Sequence, residues 1–382
     1  MNNIEFRHYR EGDNTQLREL YLRAFLRDGK SYFRTRAIEK WRYLESPNFD
    51  PEMIQIAEDI NKKMIVGSVF VNLVEEININ GKNYLVGDIN DVACHPDYSQ
   101  RGIATRLMEM AIDYMKKRNC DLSLLTAAAE GIARDKIYVL LGFKDITLLN
   151  IYLSFPHLFR LVREIPIVLL LFPLFLIYSV IPRLFLKLKL KCSLYIRNFS
   201  YEIHFNEDHE TFITALNSII PNLYNGFSLY DNEKLNWARK NVPSHREKPT
   251  YILIRRNSNI IGGACITYEH MFIPKFKICF RIGIVHDLFF NKTLFTGAQR
   301  LKLTLQYLSD KIVKAALQRR IGVLLYCGDS KDFIIHESFR GLWFPIIRGS
   351  VLMGKFFNPQ LNPRKVLKKP LFIPTYLSTG FP

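Results

Sequence analysis

Residues 88–107 read DINDVACHPDYSQRGIATRL, and this stretch predicts a strand that passes through a short loop into a helix. The apolar strand ends at Cys94, because Pro96 cannot continue a hydrogen-bonded ladder. From Gly102 the apolar residues take helical spacing, which predicts a helix from Gly102 to Lys117. The N–H groups at a helix N-terminus, together with the helix dipole, bind anions. The stretch is therefore a candidate phosphate site.

Three residues at this loop suit an anion. Gly102 and Ala104 are small and let a phosphate approach the main chain closely, and Arg101 adds a fixed positive charge. A lone glycine before a helix also occurs in ordinary strand-to-helix turns. A second motif is needed to separate the two interpretations.

That second motif lies downstream, where residues 138–143 read YVLLGF and a helix closes at Gly142 before a new strand. With the two runs HPDYSQRGIATRLM and IYVLLGF, residues 1–150 resemble the GNAT (Gcn5-related N-acetyltransferase) family. The resemblance implies a mixed α+β fold that binds acetyl-CoA as a cosubstrate and needs no metal.

The resemblance also implies which residues contact acetyl-CoA. Main-chain N–H groups of the loop would hold the pyrophosphate, and the end of the preceding strand would pair with the pantetheine arm. Ser99 departs from the family pattern, which usually has Gln or Arg there, so Gln100 or Arg101 would have to compensate. The implied cofactor-binding residues are Ala93, Cys94, Arg101, Gly102, Ile103, Ala104 and Thr105.

The implied chemistry is direct attack of a primary amine on the thioester, which requires a base for the amine and favours an acid for the leaving thiolate. Tyr138 occupies the family's general-acid position. Asp88 lies where histone-type members place a glutamate and is the first candidate for the base. Asp91 and His95 are lesser candidates, and a water-relayed proton remains an alternative.

Self-comparison indicates an internal repeat with an offset of 195 or 196 residues. Two copies of one domain are predicted, each with a central, mostly antiparallel sheet flanked by helices, which is an α+β class. The predicted units are 1–153, a linker 154–200, a second copy 201–357 and a tail 358–382. The matched pairs are His8/His204, Trp41/Trp237, Pro47/Pro243, Gly67/Gly262, Asp91/Asp287 and Phe143/Phe339.

The second copy is predicted to be degenerate. At an offset of 196, Ala298 replaces Gly102 and Ile334 replaces Tyr138. The phosphate loop and the acid would then both be lost. The second copy would shape an acceptor pocket or serve only as a packing partner.

Charge is concentrated in two segments. The chain has a net charge of +17, yet residues 1–150 carry 21 basic and 22 acidic side chains. Residues 151–200 carry seven basic and one acidic side chain, and residues 351–382 carry five basic and none acidic. No aromatic-interleaved basic patch accompanies this excess, so a nucleic-acid partner is not predicted. The six cysteines lack a C-x-x-C pair, and neither a metal site nor a disulfide framework is predicted.

The linker contains an uncharged stretch, residues 165–182, which reads IPIVLLLFPLFLIYSVIP between basic flanks. Its length reaches the lower limit for a membrane span, but Pro173 interrupts a helix there. A kinked segment that lies in the plane of a membrane or re-enters it is favoured over a buried linker and over a span. The polar start of the chain does not read as a secretory signal. We therefore expect a cytoplasmic protein at the inner face of a membrane, touching an anionic membrane surface.

Three functions follow from these features. The first is an acetyl-CoA-dependent N-acetyltransferase acting on a primary amine at the membrane face. The second is an aminoacyl or long-chain acyl transferase acting on lipid-linked acceptors. The third is a non-catalytic membrane scaffold that binds coenzyme A.

Overall fold

A computed structural model describes residues 3–26, 36–205, 210–235, 237, 247–273, 278–295, 297–332, 336, 339, 342–361 and 371–372. Strands and helices are mixed along the chain, which confirms the α+β class. The strands are β1 (Ile4–His8), β2 (Ile54–Asp59), β3 (Met64–Ile79), β4 (Lys82–Cys94), β5 (Leu122–Ala128), β6 (Lys144–Ser154), β7 (Phe199–Phe205), β8 (Gly226–Phe227), β9 (Thr250–Arg256), β10 (Asn259–Ile273), β11 (Ile278–Phe290), β12 (Val323–Asp329), β13 (Phe344–Phe356) and β14 (Leu371–Phe372).

Helices cover both halves of the chain and the segment between them. The α-helices are α1 (Asn14–Leu26), α2 (Arg36–Glu39), α3 (Ile103–Lys117), α4 (Leu158–Glu164), α5 (Phe172–Phe175), α6 (Ile181–Cys192), α7 (Glu210–Ile219), α8 (Asn232–Leu235) and α9 (Ala298–Gln318). Short π-helical turns are Lys40–Leu44, Arg134–Tyr138 and Leu176–Val180. The first half is defined as β1–β6 with α1–α3, and the second half as β7–β13 with α7–α9.

Within the part of the chain that the structure describes, the strands form one sheet of fourteen strands. Twelve of them lie in the order β1-β2-β3-β4-β5-β13-β6-β12-β11-β10-β9-β7. From one end, β1–β5 of the first half are followed by β13, the last long strand of the second half. From the other end, β7 and β9–β12 of the second half are followed by β6, the last strand of the first half. The predicted units 1–153 and 201–357 therefore exchange their last strands, β6 and β13, which the sequence did not indicate.

Helix α3 packs on the sheet through one apolar face. Ile103, Leu107 and Ala111 on that face are buried in the core of the first half. Gly67 on β3 permits the close approach, because an added Cβ would lie 2.8 Å from the side chains of Ile103 and Leu107. This packing holds the N-terminus of α3 beside the end of β4.

A pair of tryptophans joins the two halves. Trp41 and Trp237 stack with ring centroids 5.3 Å apart. The indole N–H of Trp41 donates to the Trp237 carbonyl at 2.8 Å, and that of Trp237 donates to the Trp41 carbonyl at 2.9 Å. Phe143 and Phe339 are both buried in the core of their own half. Pro243 and Ile334 lie outside the described residues, and so does the tail except residues 358–361 and 371–372.

Candidate active site

The site begins where two parallel strands separate. β4 and β5 pair through Val86–Ile89 and Leu122–Leu125, after which the two strands diverge. β4 remains paired with β3 on its other side, with a bulge between Asn90 and Ala93. Residues 90–94 of β4 therefore present a main-chain edge to the cleft, which is the feature expected to pair with a pantetheine arm.

The loop after β4 is held in place by side-chain contacts. The Tyr98 hydroxyl donates to the Asp59 carboxylate at 2.5 Å, which ties the loop to the end of β2. The Arg101 guanidinium lies 4.9 Å from the centre of the Tyr98 ring and donates to the Asp97 carbonyl at 2.9 Å. Arg101 is exposed. The structure thus places a fixed positive charge beside the start of α3.

The N-terminus of α3 is open. Gly102 caps the helix with a φ of 74°, a left-handed conformation that glycine adopts without strain. Among the described residues, no side chain caps the helix. The N–H groups of Ile103, Ala104 and Thr105 belong to the first turn, which has no acceptor within the helix. These groups and Arg101 are together in space, as the sequence motif predicted.

Cys94 lies under the same loop but is unsuited to nucleophilic attack. Its thiol donates to the carbonyls of His95 and Tyr98 at 3.7 and 3.6 Å. Burial raises the pKa of the Cys94 thiol, against a smaller opposite effect of the Arg101 charge. The thiolate, which is the reactive form, is therefore scarce at neutral pH. Ala93 beside it is buried.

Asp88 belongs to the part of β4 that still pairs with β5, one residue before that pairing ends at Ile89. It faces Asn72 of β3 and Leu124 of β5 in register. Burial raises the pKa of Asp88 to about 7, although a hydrogen bond from Asn90 at 2.9 Å and the charge of Arg42 act in the opposite direction. A carboxyl group that titrates near neutral pH can accept a proton under working conditions.

Arg42 and Tyr43 lie beside the polar residues of β4 through their contacts with Asp91. The sequence motifs did not indicate either residue. Arg42 is buried, lies 3.6 Å from the Asp91 carboxylate, and has no hydrogen-bond partner for its Nε–H within the described residues. The Tyr43 hydroxyl donates to Asp91. The nearest signal in the sequence was Trp41, which the predicted repeat pairs with Trp237.

Asp91 in the first half and Asp287 in the second half have the same structural role. Asp91 and Asp287 both adopt a φ of 49° and accept a hydrogen bond from a tyrosine hydroxyl, Tyr43 and Tyr230 respectively. A residue held in a strained bulge by such a bond is constrained by the backbone. This observation agrees with ranking Asp91 below Asp88 as a base.

Tyr138 ends the π-helical turn that follows β5 in the chain. It is 7% exposed, and its hydroxyl makes no hydrogen bond within the described part of the chain. Burial raises the pKa of Tyr138 to about 12. Lys355 of β13 donates through Nζ to the Leu141 carbonyl, so a residue of the second half caps the end of the turn that carries Tyr138.

The second half differs from the sequence alignment by one residue. Helix α9 starts at Ala298 and is capped by Gly297 with a φ of 99°, so Gly297 rather than Ala298 is the counterpart of Gly102. The loop before α9 is one residue shorter than the loop before α3, which the constant offset missed. Gln299 then stands at the position of Ala104, and Thr296, opposite Arg101, lies outside the described residues.

No cluster of three or more metal-binding side chains is found among the residues that the structure describes. His95 is buried, and its Nε2 lies 3.3 Å from Arg23. The amide N–H of Asp97 donates to His95 Nδ1 at 3.3 Å. Its ring nitrogens are therefore engaged within the loop.

Comparisons with known proteins agree with this geometry. An uncharacterized N-acetyltransferase of Methanocaldococcus jannaschii is 29% identical over 127 residues, which cover 33% of this chain and 54%, about half, of that protein. Saccharomyces cerevisiae N-myristoyltransferase with bound myristoyl-CoA superimposes with a TM-score of 0.65 at 10% identity, over 93% of this chain and 78% of that chain. A GCN5-related N-acetyltransferase from Anabaena variabilis gives a TM-score of 0.55 at 12% identity, over 92% and 72%.

The two solved structures show the fold alone, because their identities are low. The family described as Acetyltransferase (GNAT) domain matches residues 5–141. That range contains the diverging strands, the loop, the N-terminus of α3 and Tyr138. Residues 5–141 of this chain therefore belong to the GNAT acetyltransferase family.

Proposed function

We propose that the chain is an N-acetyltransferase that moves an acetyl group from acetyl-CoA to a primary amine. The observation that carries the proposal is the open N-terminus of α3 with Arg101 beside it, at the mouth of the cleft between β4 and β5. The main-chain N–H groups of residues 103–105 would bind the pyrophosphate. The edge of β4 at Ala93 and Cys94 would pair with the pantetheine arm.

In the proposed reaction the amine nitrogen attacks the thioester carbonyl carbon. An amide bond forms, the carbon–sulfur bond breaks, the amine loses a proton and the thiolate gains one. Asp88 is the proposed base. An alkylamine has a pKa of about 10.4. Raising the pKa of Asp88 from 3.8 to about 7 reduces the proton-transfer mismatch by about 3 units, or about 4 kcal/mol.

Tyr138 is the proposed donor to the leaving sulfur. A thiol has a pKa of about 8.5, well below the value of about 12 for Tyr138, so complete proton transfer to the thiolate is uphill. Tyr138 therefore acts as a neutral hydrogen-bond donor that stabilises the developing negative charge. The proton that completes the thiol then comes from solvent or from the protonated Asp88.

The second half is proposed to be a diverged copy that supports the first. Its element order repeats that of the first half, and the tryptophan pair lies between them with reciprocal hydrogen bonds. Strand β13 pairs with β5, and Lys355 caps the Tyr138 turn. By this proposal the second half completes the catalytic half and takes no part in binding acetyl-CoA.

The proposed location is the cytoplasmic face of a membrane. The basic charge of residues 151–200 and the apolar segment within them support it.

A long-chain acyl donor is the second candidate. The structural similarity to N-myristoyltransferase extends over both halves and covers 93% of this chain. Donor competition separates the candidates: acetyl-CoA and myristoyl-CoA are offered together with one amine, and the products are weighed by mass spectrometry. An aminoacyl donor is tested by the same assay, since preference for any acyl-CoA argues against it.

Binding of acetyl-CoA by isothermal titration calorimetry tests the proposed site. Ala104→Glu puts a negative charge in the first turn of α3, where the pyrophosphate would lie. Gln299→Glu is the matched control in the first turn of α9. Both changes place an acid where the helix dipole favours it, so both variants should fold. We expect A104E to abolish binding and Q299E to bind as the wild type does. Binding that survives A104E contradicts the proposal.

Tyr138→Phe separates an enzyme from a coenzyme A-binding scaffold. An enzyme loses turnover in this variant while it keeps acetyl-CoA binding. A scaffold shows no turnover in either protein.

A further inference from the structure

The segment between β6 and β7 exposes an extended apolar surface. Pro166–Cys192 is long and apolar enough to cross a membrane. Its most apolar window has a mean hydropathy of 2.2, and only 6% of that window is buried within the protein. Leu170 is 79% exposed and Phe185 is 69% exposed. Contiguous apolar patches of this kind on soluble proteins usually mark an interaction surface. Other exposed members are Phe159, Leu169, Leu174, Ile177, Ile181 and Leu188.

The opposite side of this segment is fixed to the protein. The side chains of Ser179 and Arg183 donate hydrogen bonds of 3.3 and 2.7 Å to residues 154–155 at the end of β6. Leu186 and Leu190 are buried in the core of the second half. Burial lowers the pKa of Arg183 to about 10, so the guanidinium stays charged at neutral pH. The segment thus lies along the surface of the protein, with one face packed against it and the other face exposed to solvent.

The sheet excludes a single membrane span. β6 precedes the segment and β7 follows it, and both belong to the same sheet. β6 also lies between β13 and β12, which come later in the chain. A single span would separate these strands by a bilayer, and the exchanged strands cannot remain paired across one.

The charges beside the exposed face indicate its partner. Arg163, Lys187 and Lys191 are exposed around the apolar side chains. The one acidic residue, Glu164, is already paired with Arg160. Basic side chains beside an apolar surface suit the headgroups of anionic lipids. A second copy of the chain would instead bring like charges together.

The segment between β6 and β7 starts at the end of β6, on the side of the sheet where β4 and β5 diverge. β5 and β6 are both antiparallel to β13 and therefore run in the same direction. Ala128 at the end of β5 and Leu149 of β6 both align with Ser350 of β13, and β6 extends about 17 Å further, to Ser154, at 3.3 Å per residue. A partner on the exposed face would lie at the same edge as the diverging ends of β4 and β5.

We propose that the exposed face of residues 159–191 docks in the plane of an anionic lipid bilayer, with its apolar side chains among the acyl chains and its basic side chains at the headgroups. The proposal goes beyond the reaction and the location, because it names the surface, the lipid and the orientation. It does not depend on acetyl transfer: vesicle binding survives if the reaction is wrong, and catalysis survives if the docking is wrong.

Vesicle flotation of the full chain tests the apolar part of the surface. We expect flotation with vesicles of phosphatidylcholine and phosphatidylglycerol. Leu170→Ser and Phe185→Ser should each weaken binding about 10-fold, because each removes apolar area from the bilayer. Ile60→Ser is the control, since Ile60 is 53% exposed in the turn between β2 and β3. Equal binding by wild type, L170S and F185S overturns the proposal.

The basic part is tested by removing charge. Lys187→Gln with Lys191→Gln should weaken binding to the anionic vesicles about 30-fold, at about 1 kcal/mol for each lysine. Lys63→Gln with Lys144→Gln removes the same charge elsewhere and should have little effect. Wild-type binding that is equal on neutral phosphatidylcholine and on anionic vesicles contradicts the charge argument.

Depth measurements test the orientation. Tryptophan placed at 170 or at 185 should be quenched best by lipids brominated near the headgroup, because the segment lies flat. Best quenching near the chain ends at either position overturns the in-plane orientation. Sedimentation without lipid tests the competing occupant: a wild-type dimer that L170S converts to monomer identifies the surface as a contact between copies of the chain and overturns the proposal.

Discussion

Replacing Asp88 with asparagine should make the protein more stable and less active. Asparagine has nearly the shape of aspartate and can still accept the hydrogen bond from Asn90. It removes the charge that burial disfavours. A residue that serves folding alone would not behave in this way, because its replacement would lower stability. The opposite directions of the two effects identify a group kept for chemistry.

The size of the gain follows from the pKa of Asp88, which is about 7 in the folded protein and 3.8 as the ordinary value. Below about pH 4 the carboxyl is protonated in both states and contributes no difference. Between pH 3.8 and 7 the unfolded chain gives up the proton first, so stability falls as the pH rises. Above about pH 7 the full penalty is about 4 kcal/mol. D88N should therefore exceed the wild type in free energy of unfolding by about 4 kcal/mol at about pH 8 and by little at about pH 4.

Urea denaturation at the two pH values measures the stability, and thiol release from acetyl-CoA measures activity. We expect D88N to lower kcat/KM about 1,000-fold, within the usual range for loss of a general base. The wild-type kcat/KM should fall tenfold per pH unit below about pH 7, and D88N should lack that limb. A variant that keeps wild-type activity and gains no stability at about pH 8 refutes the assignment.

Three further changes test the proposed hydrogen-bond donor, the turn that carries it and the contact between the two halves. Tyr138→Phe should lower kcat about 100-fold with an unchanged Kd for acetyl-CoA by calorimetry, because only a hydrogen bond to the leaving sulfur is lost; a weakened Kd instead would indicate a binding role. Lys355→Met should lower kcat about 10-fold and the free energy of unfolding by about 1–3 kcal/mol, because the Leu141 carbonyl loses its donor; an unchanged kcat in steady-state assays would separate the second half from catalysis. Trp41→Phe should cost about 1–3 kcal/mol in urea denaturation, since the Trp237 carbonyl loses its donor, and a cost near zero would show that the pair does not hold the halves together.

The local part of the site could be predicted because its signals are local. The helical spacing after Gly102 and the proline at 96 mark the loop and the start of α3 in one short stretch. Gly102 is required there by its positive φ, which a sequence pattern can show. The residues that the motif predicted for cofactor binding accordingly lie together in the structure, around the end of β4 and the first turn of α3.

The long-range part could not be predicted. The pairing of β5 with β13 joins Ala128 to Ser350, and no periodicity within either strand names its partner. Arg42 enters the site from a π-helical turn that carries no motif. The shorter loop before Gly297 also escaped a constant offset, because one deleted residue shifts every position after it.

Acetyl transfer by the purified full chain is measured as thiol released from acetyl-CoA across a library of primary amines. Thiol release should require an amine, should be lost in A104E and should persist in Q299E. Acetyl transfer at the N-terminus of α3 is refuted if no amine raises release above that of A104E, or if Q299E loses the activity as completely as A104E does.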